Sequence, residues 1–497
     1  RHFIMKRKLT VVLCLLAAIG VFGQISRPKL VVGLVVDQMR WDYLYYYYDQ
    51  YRKDGLRTLV DHGFSFENTL INYLPAVTAV GHSSIYTGSV PALTGIVSNN
   101  FYLNGKWTYC CDDPNVKSVG SNSKEGMMSP RNLLATGLGD MLKIATNFNG
   151  KVIGVALKDR AAIMPAGHGA DAAYWWDSSA GHFVTSTYYM NELPAWVKET
   201  NKRIGTKPKT NVKTAVVGVT KTFQMAEAAL ENEHLGQDSI TDLLTISVSS
   251  TDAISHVYGT RGKENHDAYM ELDNQLAQFI KTLDEKVGKG QWLMFLSADH
   301  GGSHNHNFLK AHHIPAGGLD FRNTLKPYEA QLEQELGFAP VIKKVTDGWV
   351  YINKDGAAKA GKQMSDVKAA VCATLQQNDS ILYAVDCEKA LTTTVPQPIR
   401  EMIVNGYRRG RSGEVFIVPK AGWENVDGSD KYIGTTHQEW NPYDTHIPFV
   451  LYGWNVPHGQ TSAAVHITDI APTICAMLHI QMPNSCVGTS RSDYLKR

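Results

Sequence analysis

Runs of six to eight mostly apolar residues, each followed by a carboxylate, constrain this chain more than any other feature. Val31-Val32-Gly33-Leu34-Val35-Val36 runs into Asp37, and Trp292 through Ala298 runs into Asp299-His300-Gly301-Gly302. A third run, Leu243 through Ser250, leads to Asp252 and His256. Runs of this length without polar alternation read as strands buried on both faces, the pattern of a parallel sheet. The expected fold is therefore α/β, with a mostly parallel central sheet and helices on both faces. In such open sheets chemistry sits just beyond the carboxyl ends of the strands. Asp37, Asp252, His256, Asp299 and His300 should share one edge, in outline a site for two metal ions.

The first residues read as an export leader. Lys6, Arg7 and Lys8 precede an apolar stretch from Val11 to Val21, and Val21-Phe22-Gly23 offers a cleavage site before Gln24. Residues 1–23 are thus a secretory signal peptide starting at Met5. The stretch falls short of the ~20 apolar residues that span a bilayer, so no stable membrane insertion is expected after cleavage. Cys14 lies inside the apolar run and no Cys follows the cut, which argues against a lipoprotein. The protein should be periplasmic or secreted. Without Arg1, Lys6, Arg7 and Lys8 the chain carries 45 basic and 47 acidic residues. That balance gives no electrostatic case for nucleic acid as a standing partner. Six cysteines remain, an even number that suggests disulfides in an exported chain; Cys372–Cys387 and Cys475–Cys486 are the expected pairs, though spacing alone cannot fix connectivity.

Residues 24–309 read as alternating strand and helix, the first part of the core. The run Lys151 to Leu157 is a further strand, ending in Lys158-Asp159-Arg160. Tyr45 to Tyr48 should lie on an amphipathic helix with an aromatic face, and 201 to 215 on a surface loop. From 310 to 430 short strands interleave with helices, which reads as a small α+β insertion near the site. Residues 431–497 return to the core, with a closing helix near Thr468 to Leu478 and Asp469 in its first turn.

Zinc takes nitrogen and oxygen ligands, and a catalytic site keeps one position open. Asp252-x-x-x-His256 places two ligands one helical turn apart, and His437 is the best third. Asp37 with Asp299-His300 would hold a second ion. Two ions at about 3.5–4 Å can clamp both the attacking and the leaving oxygens of an in-line phosphoryl displacement. The nucleophile candidate is Thr78, in Leu74-Pro75-Ala76-Val77-Thr78-Ala79-Val80-Gly81-His82. A helix starting there favours a bound anion, and Pro75 and the Gly81-His82 pair suit a turn into it.

Asp37, Thr78-Ala-Val-Gly-His82, Asp252-x-x-x-His256, Ala298-Asp299-His300-Gly301 and Thr436-His437, in this order, resemble the alkaline phosphatase superfamily. Within it the chain looks like the nucleotide pyrophosphatase/phosphodiesterase branch. With Ser98-Asn99-Asn100 and Lys158-Asp159-Arg160 added, it is closest to the phosphate-irrepressible alkaline phosphatases of the PafA type. That resemblance implies two zinc ions, one on Asp37, Thr78, Asp299 and His300, the other on Asp252, His256 and His437. It implies a phosphothreonine formed on Thr78, with Asn99, Lys158 and Arg160 contacting the non-bridging phosphoryl oxygens. The implied activity is hydrolysis of small phosphate monoesters, whose dianions need fixed cations and donors.

The rival activity on the same scaffold is phosphodiesterase or nucleotide pyrophosphatase. A secreted binding protein with a decayed site is the alternative from another class. Sulfatase chemistry is disfavoured, because no C-x-P-x-R or S-x-P-x-R occurs at the nucleophile position. His304, His306, His312 and His313 read as surface or core-lining residues. His82 should support the nucleophile turn, and His446 should be structural.

Overall fold

In the computed structural model, which describes residues 26–495, every residue of the three carboxylate-terminated runs is buried where it forms strand. The leader expected over residues 1–23 lies outside the described residues. The main sheet is built on β1 (Leu30–Val36), β2 (Phe64–Leu70), β3 (Val152–Ala156), β4 (Ala172–Asp177), β5 (His182–Ser186), β6 (Asp242–Val248), β7 (Trp292–Ser297), β8 (Phe449–Gly453) and β9 (Gly459–His466). Two short strands, Ser118–Val119 and His446–Ile447, complete its eleven.

The centre, in order β7-β1-β6-β3-β4, is parallel throughout. The flanks are not. β8 is antiparallel to β7 and to β2, β9 is parallel to β2, and β5 is antiparallel to β4. The sheet is therefore mixed, with a parallel middle. The apolar runs that supply β1, β6 and β7 are buried on both faces and so take central positions. β9, with alternating half-buried and exposed residues, stays at the margin.

Helix α1 (Thr78–Thr87) and helix α2 (Asp159–Ala166) pack together, and the Tyr86 hydroxyl donates to the Gly33 carbonyl of β1 at 3.3 Å. Helix Val217–Asn232 lies against β6 and β3, with Lys263–Leu283 packed on it. Helix α3 (Ser250–Tyr258) leaves β6 directly and carries Asp252 and His256. Ile470–Leu478 is the closing helix, entered through the 3-10 turn Ile467–Asp469.

Within residues 310–430 a four-stranded antiparallel sheet has the order Ile342–Thr346, Trp349–Ile352, Val415–Pro419, Ile381–Asp386. Helices Lys326–Leu336 and Met364–Leu375 belong to its own apolar cluster, which includes Leu332, Val371 and Val415. Another cluster joins Trp349, Phe416 and Val418 to Leu74, just ahead of Thr78.

Two expectations are corrected. The tyrosine run forms no long helix, only Tyr43–Tyr46 followed by the 3-10 turn Tyr48–Gln50. The buried face is Tyr43, Tyr47 and Tyr51, with Tyr43 and Tyr47 packed on Tyr269, while Tyr45 and Tyr46 face solvent. The expected cysteine pairs are not bonded; all six cysteines are free thiols. Cys387 and Cys486 instead lie 3.7 and 3.8 Å from the carbonyls of Val385 and Gly488, and most of these thiols are buried like small hydrophobes.

Candidate metal centre and nucleophile

Asp37, Asp252, Asp299 and His300 are almost wholly buried, and His437 nearly so. Burying charges this way is costly unless other charges compensate them. The parallel middle of the sheet explains their meeting. Asp37 follows β1, Asp299 and His300 follow β7, and Asp252 and His256 follow β6 on α3, all at one edge. β3 delivers Lys158 to that edge from the other side of β6.

Thr78 opens α1, with Val77 in extended conformation before it. Its Oγ1 lies 3.5 Å from His300 Nε2 and 3.4 Å from Lys158 Nζ. Gly81 falls within the first turn of α1 and not in a loop before it. A Cβ there would stand 2.1 Å from the carbonyl oxygen of Asp299, so only glycine lets the helix approach that strand end. His82 has the supporting position expected of it. Its Nδ1 donates to the Thr78 carbonyl at 2.9 Å and lies 3.2 Å from Asp299 Oδ2, while Ser247 Oγ lies 2.8 Å from Nε2.

Three other imidazoles share one orientation. His256 Nδ1 donates to the Thr435 carbonyl at 2.8 Å, His300 Nδ1 to Gly301 at 2.9 Å and His437 Nδ1 to Ala76 at 2.7 Å. A carbonyl accepts only, so each ring carries a proton on Nδ1 and turns its Nε2 towards the carboxylates. Second partners of this kind orient metal-binding histidines. Nε2 of His256 and of His437 lie 3.1 and 3.5 Å from Asp252 Oδ1. Burial, with His300 close by, holds the His437 ring well below its ordinary range, so it stays neutral. The rings of His300 and His437 stack at 3.5 Å.

Among the described residues, two sets of donors come within mutual reach of a single ion: Asp252, His256 and His437, and Asp37, Asp252 and His300. The first is the expected trio. The second differs from the expected Asp37, Asp299 and His300. Asp299 Oδ1 accepts from the backbone N–H groups of Gln38 and His300, and its Oδ2 faces His82 and His300. Asp252 stands between the two sets and belongs to both. Asp37 Oδ1 and Asp299 Oδ2 are buried and without a hydrogen-bond partner. Burial, reinforced by Asp299, raises the Asp37 pKa well above the usual carboxylate range despite Lys158. Burial also pushes Asp252 up, but His256 and Lys158 outweigh it and hold that carboxyl well below the range. Orphaned carboxylate oxygens beside imidazole Nε2 atoms suit divalent cations.

Lys158 was expected to face substrate. Here its Nζ bridges Asp37 Oδ2 and Asp252 Oδ2, 2.6 Å from each. Asn99 Oδ1 accepts from the Ala79 backbone N–H at 3.0 Å, directly after Thr78. Arg160 donates from Nη1 to the Tyr109 hydroxyl at 3.1 Å, and its buried Nε has no partner. The Tyr109 hydroxyl in turn donates to Asp159 Oδ1 at 2.5 Å.

Two contributors escaped sequence reading. Gln38 adopts φ +61° and donates from Nε2 to Asp252 Oδ1 at 3.0 Å. Tyr109, in an edge hairpin, holds Arg160. The one available signal was the adjacency of Gln38 to Asp37. Of the other histidines, His446 stacks on Trp41 and contacts the Glu67 carbonyl, His304 meets Thr260 Oγ1, and His312 and His313 are exposed. His306 is buried against Tyr432.

The type I phosphodiesterase / nucleotide pyrophosphatase family matches residues 31–444. A Myroides odoratus protein named calcium-transporting ATPase is 41% identical, covering 95% of this chain and 96% of its own. Alkaline phosphatase PafA of Elizabethkingia meningoseptica is 39% identical over 95% of both chains. Among the described residues here, no helix is long and apolar enough to cross a membrane. A crystal structure of wild-type alkaline phosphatase PafA superposes with a TM-score of 0.90 at 40% identity, covering 95% of this chain and 99% of that one. A variant of that enzyme with threonine, asparagine, lysine and arginine substituted matches equally, with a TM-score of 0.90.

Proposed function

We propose that this chain, which belongs to the type I phosphodiesterase / nucleotide pyrophosphatase family, is an exported two-zinc alkaline phosphatase releasing inorganic phosphate from phosphate monoesters. The observation that carries this reading is the placing of the Thr78 hydroxyl at a helix start, beside Lys158 and His300, above three buried carboxylates. The substituted residue types of the PafA variant match Thr78, Asn99, Lys158 and Arg160 in chain order, which supports the same reading.

Asp37, Thr78, Asp299 and His300 would hold one zinc, and Asp252, His256 and His437 the other. Bound zinc supplies Lewis-acid stabilisation of charge on oxygen and makes a hydroxyl nucleophilic near neutral pH. Thr78 Oγ1 attacks phosphorus, the ester oxygen leaves as the alcohol, and a phosphothreonine remains. Water then attacks that phosphorus in line, Thr78 Oγ1 leaves, and phosphate is released. Two inversions give net retention at phosphorus. The α1 N-terminus and the Asn99 amide lie beside Thr78, where the phosphoryl group would sit. With cations on the carboxylates, the Lys158 ammonium would be freed from bridging them and would be available to a phosphoryl oxygen. Arg160 presents a guanidinium already fixed by Tyr109, with Nε unpaired. Such donors favour a monoester dianion over a diester monoanion.

The test is kcat/KM on matched monoesters and diesters with the zinc-loaded enzyme. A clear preference for the monoester is expected. Preference for the diester would instead favour the phosphodiesterase reading.

A further inference from the structure

One turn of the insertion is lodged against the Ser98-Asn99 segment. Thr346 pairs with Trp349, so the hairpin loop is the two residues Asp347-Gly348, both with positive φ (+49° and +81°). Turn chemistry alone accounts for Asp-Gly here, but not for where the turn is lodged. Trp349 is fully buried and donates from Nε1 to the Val97 carbonyl at 3.0 Å. The Asp347 carboxylate accepts from the hydroxyl of Ser98, itself fully buried. Ser98 precedes Asn99, whose side chain binds the first turn of the nucleophile helix and whose carbonyl accepts from Cys110 N–H at 2.9 Å. Burial raises the Asp347 pKa, and the Ser98 hydroxyl draws it down.

We infer that Asp347 is a positioning residue of the phosphoryl site: it fixes the Asn99 segment through Ser98. The inference rests on the monoesterase reading above. The Ser98 bond sets where Asn99 stands, and with it the Asn99 side chain beside the start of the nucleophile helix.

Asp347→Ala removes the acceptor that Ser98 uses. Its kcat/KM should fall about tenfold or more on a monoester and less on the matched diester, with zinc content unchanged. Asp347→Asn keeps an acceptor for Ser98, and asparagine tolerates the left-handed conformation, so this variant should recover most of that loss. Equal losses on both esters in Asp347→Ala, or an Asp347→Asn variant as impaired as Asp347→Ala, would overturn the positioning role and leave a hairpin that merely packs. A wild-type enzyme without monoester preference would count against the monoesterase reading, while the recovery in Asp347→Asn would still judge Asp347.

Discussion

The ammonium of Lys158 lies 3.4 Å from the hydroxyl of Thr78, two side chains brought together from positions eighty residues apart. One belongs to the end of a central strand and the other to the start of a helix packed over the sheet. Lys158 at the same time neutralises Asp37 and Asp252.

This dual position gives Lys158→Ala two signatures. On monoesters kcat/KM should fall by about 10²–10³, with a smaller loss on diesters. In metal-free protein the same change leaves buried carboxylates without their ammonium, which typically costs about 3–5 kcal/mol. Differential scanning calorimetry should therefore show a large drop in Tm without metal and a much smaller one with zinc. Equal drops would mean that Lys158 and the cations do not share the same carboxylates.

Thr78→Ala should abolish the covalent phosphoenzyme, and Thr78→Ser should retain it at reduced rate. Acid quenching followed by intact-protein mass spectrometry reads both. A phosphorylated Thr78→Ala protein would move the nucleophile elsewhere.

Gln38 combines a left-handed backbone with a hydrogen bond to Asp252. Gln38→Ala keeps the unfavourable φ and loses the amide; Gln38→Gly relieves the φ and also loses the amide. Both should weaken zinc binding by about tenfold or more, the usual effect of losing a ligand's supporting partner. The glycine variant should be the more stable of the two, by about 1–2 kcal/mol. Chelator competition and thermal denaturation distinguish the two effects.

His304 gives a pH dependence of definite sign. Burial, with Arg40 and Arg261 adding, pushes its pKa down to about 3, against about 6.5 in an unfolded chain. The unfolded state therefore binds the proton more readily. The contribution of His304 is complete above about pH 6.5 and is lost as pH falls towards 3. His304→Gln should flatten the acid side of a plot of Tm against pH relative to wild type. An identical slope would refute the assignment.

The strand ends were legible because each ligand-bearing segment follows an unbroken apolar run, and such runs can only occupy the middle of a covered sheet. Asp37, Asp252 and Asp299 are visible on that ground alone. His437 is not: it lies in an irregular segment and was singled out only because the Asp252–His256 pair needs a third ligand. Gln38, Tyr109 and Asp347 were invisible because their roles are contacts between distant segments, with no local pattern behind them. The disulfides failed for a related reason. An even count of cysteines says nothing about which sulfurs bond, and here all six remain free thiols. The antiparallel flanks were missed because a five-residue strand such as β8 looks the same in either orientation.

The most direct test is a crystal structure of the zinc-loaded enzyme with anomalous scattering at the zinc edge. Two zinc peaks are expected, one bonded to Thr78 Oγ1 at about 2.0–2.2 Å and shared with Asp37 and His300. The other should lie on Asp252, His256 and His437. Zinc peaks that leave Thr78 Oγ1 beyond bonding distance of any ion would contradict the account.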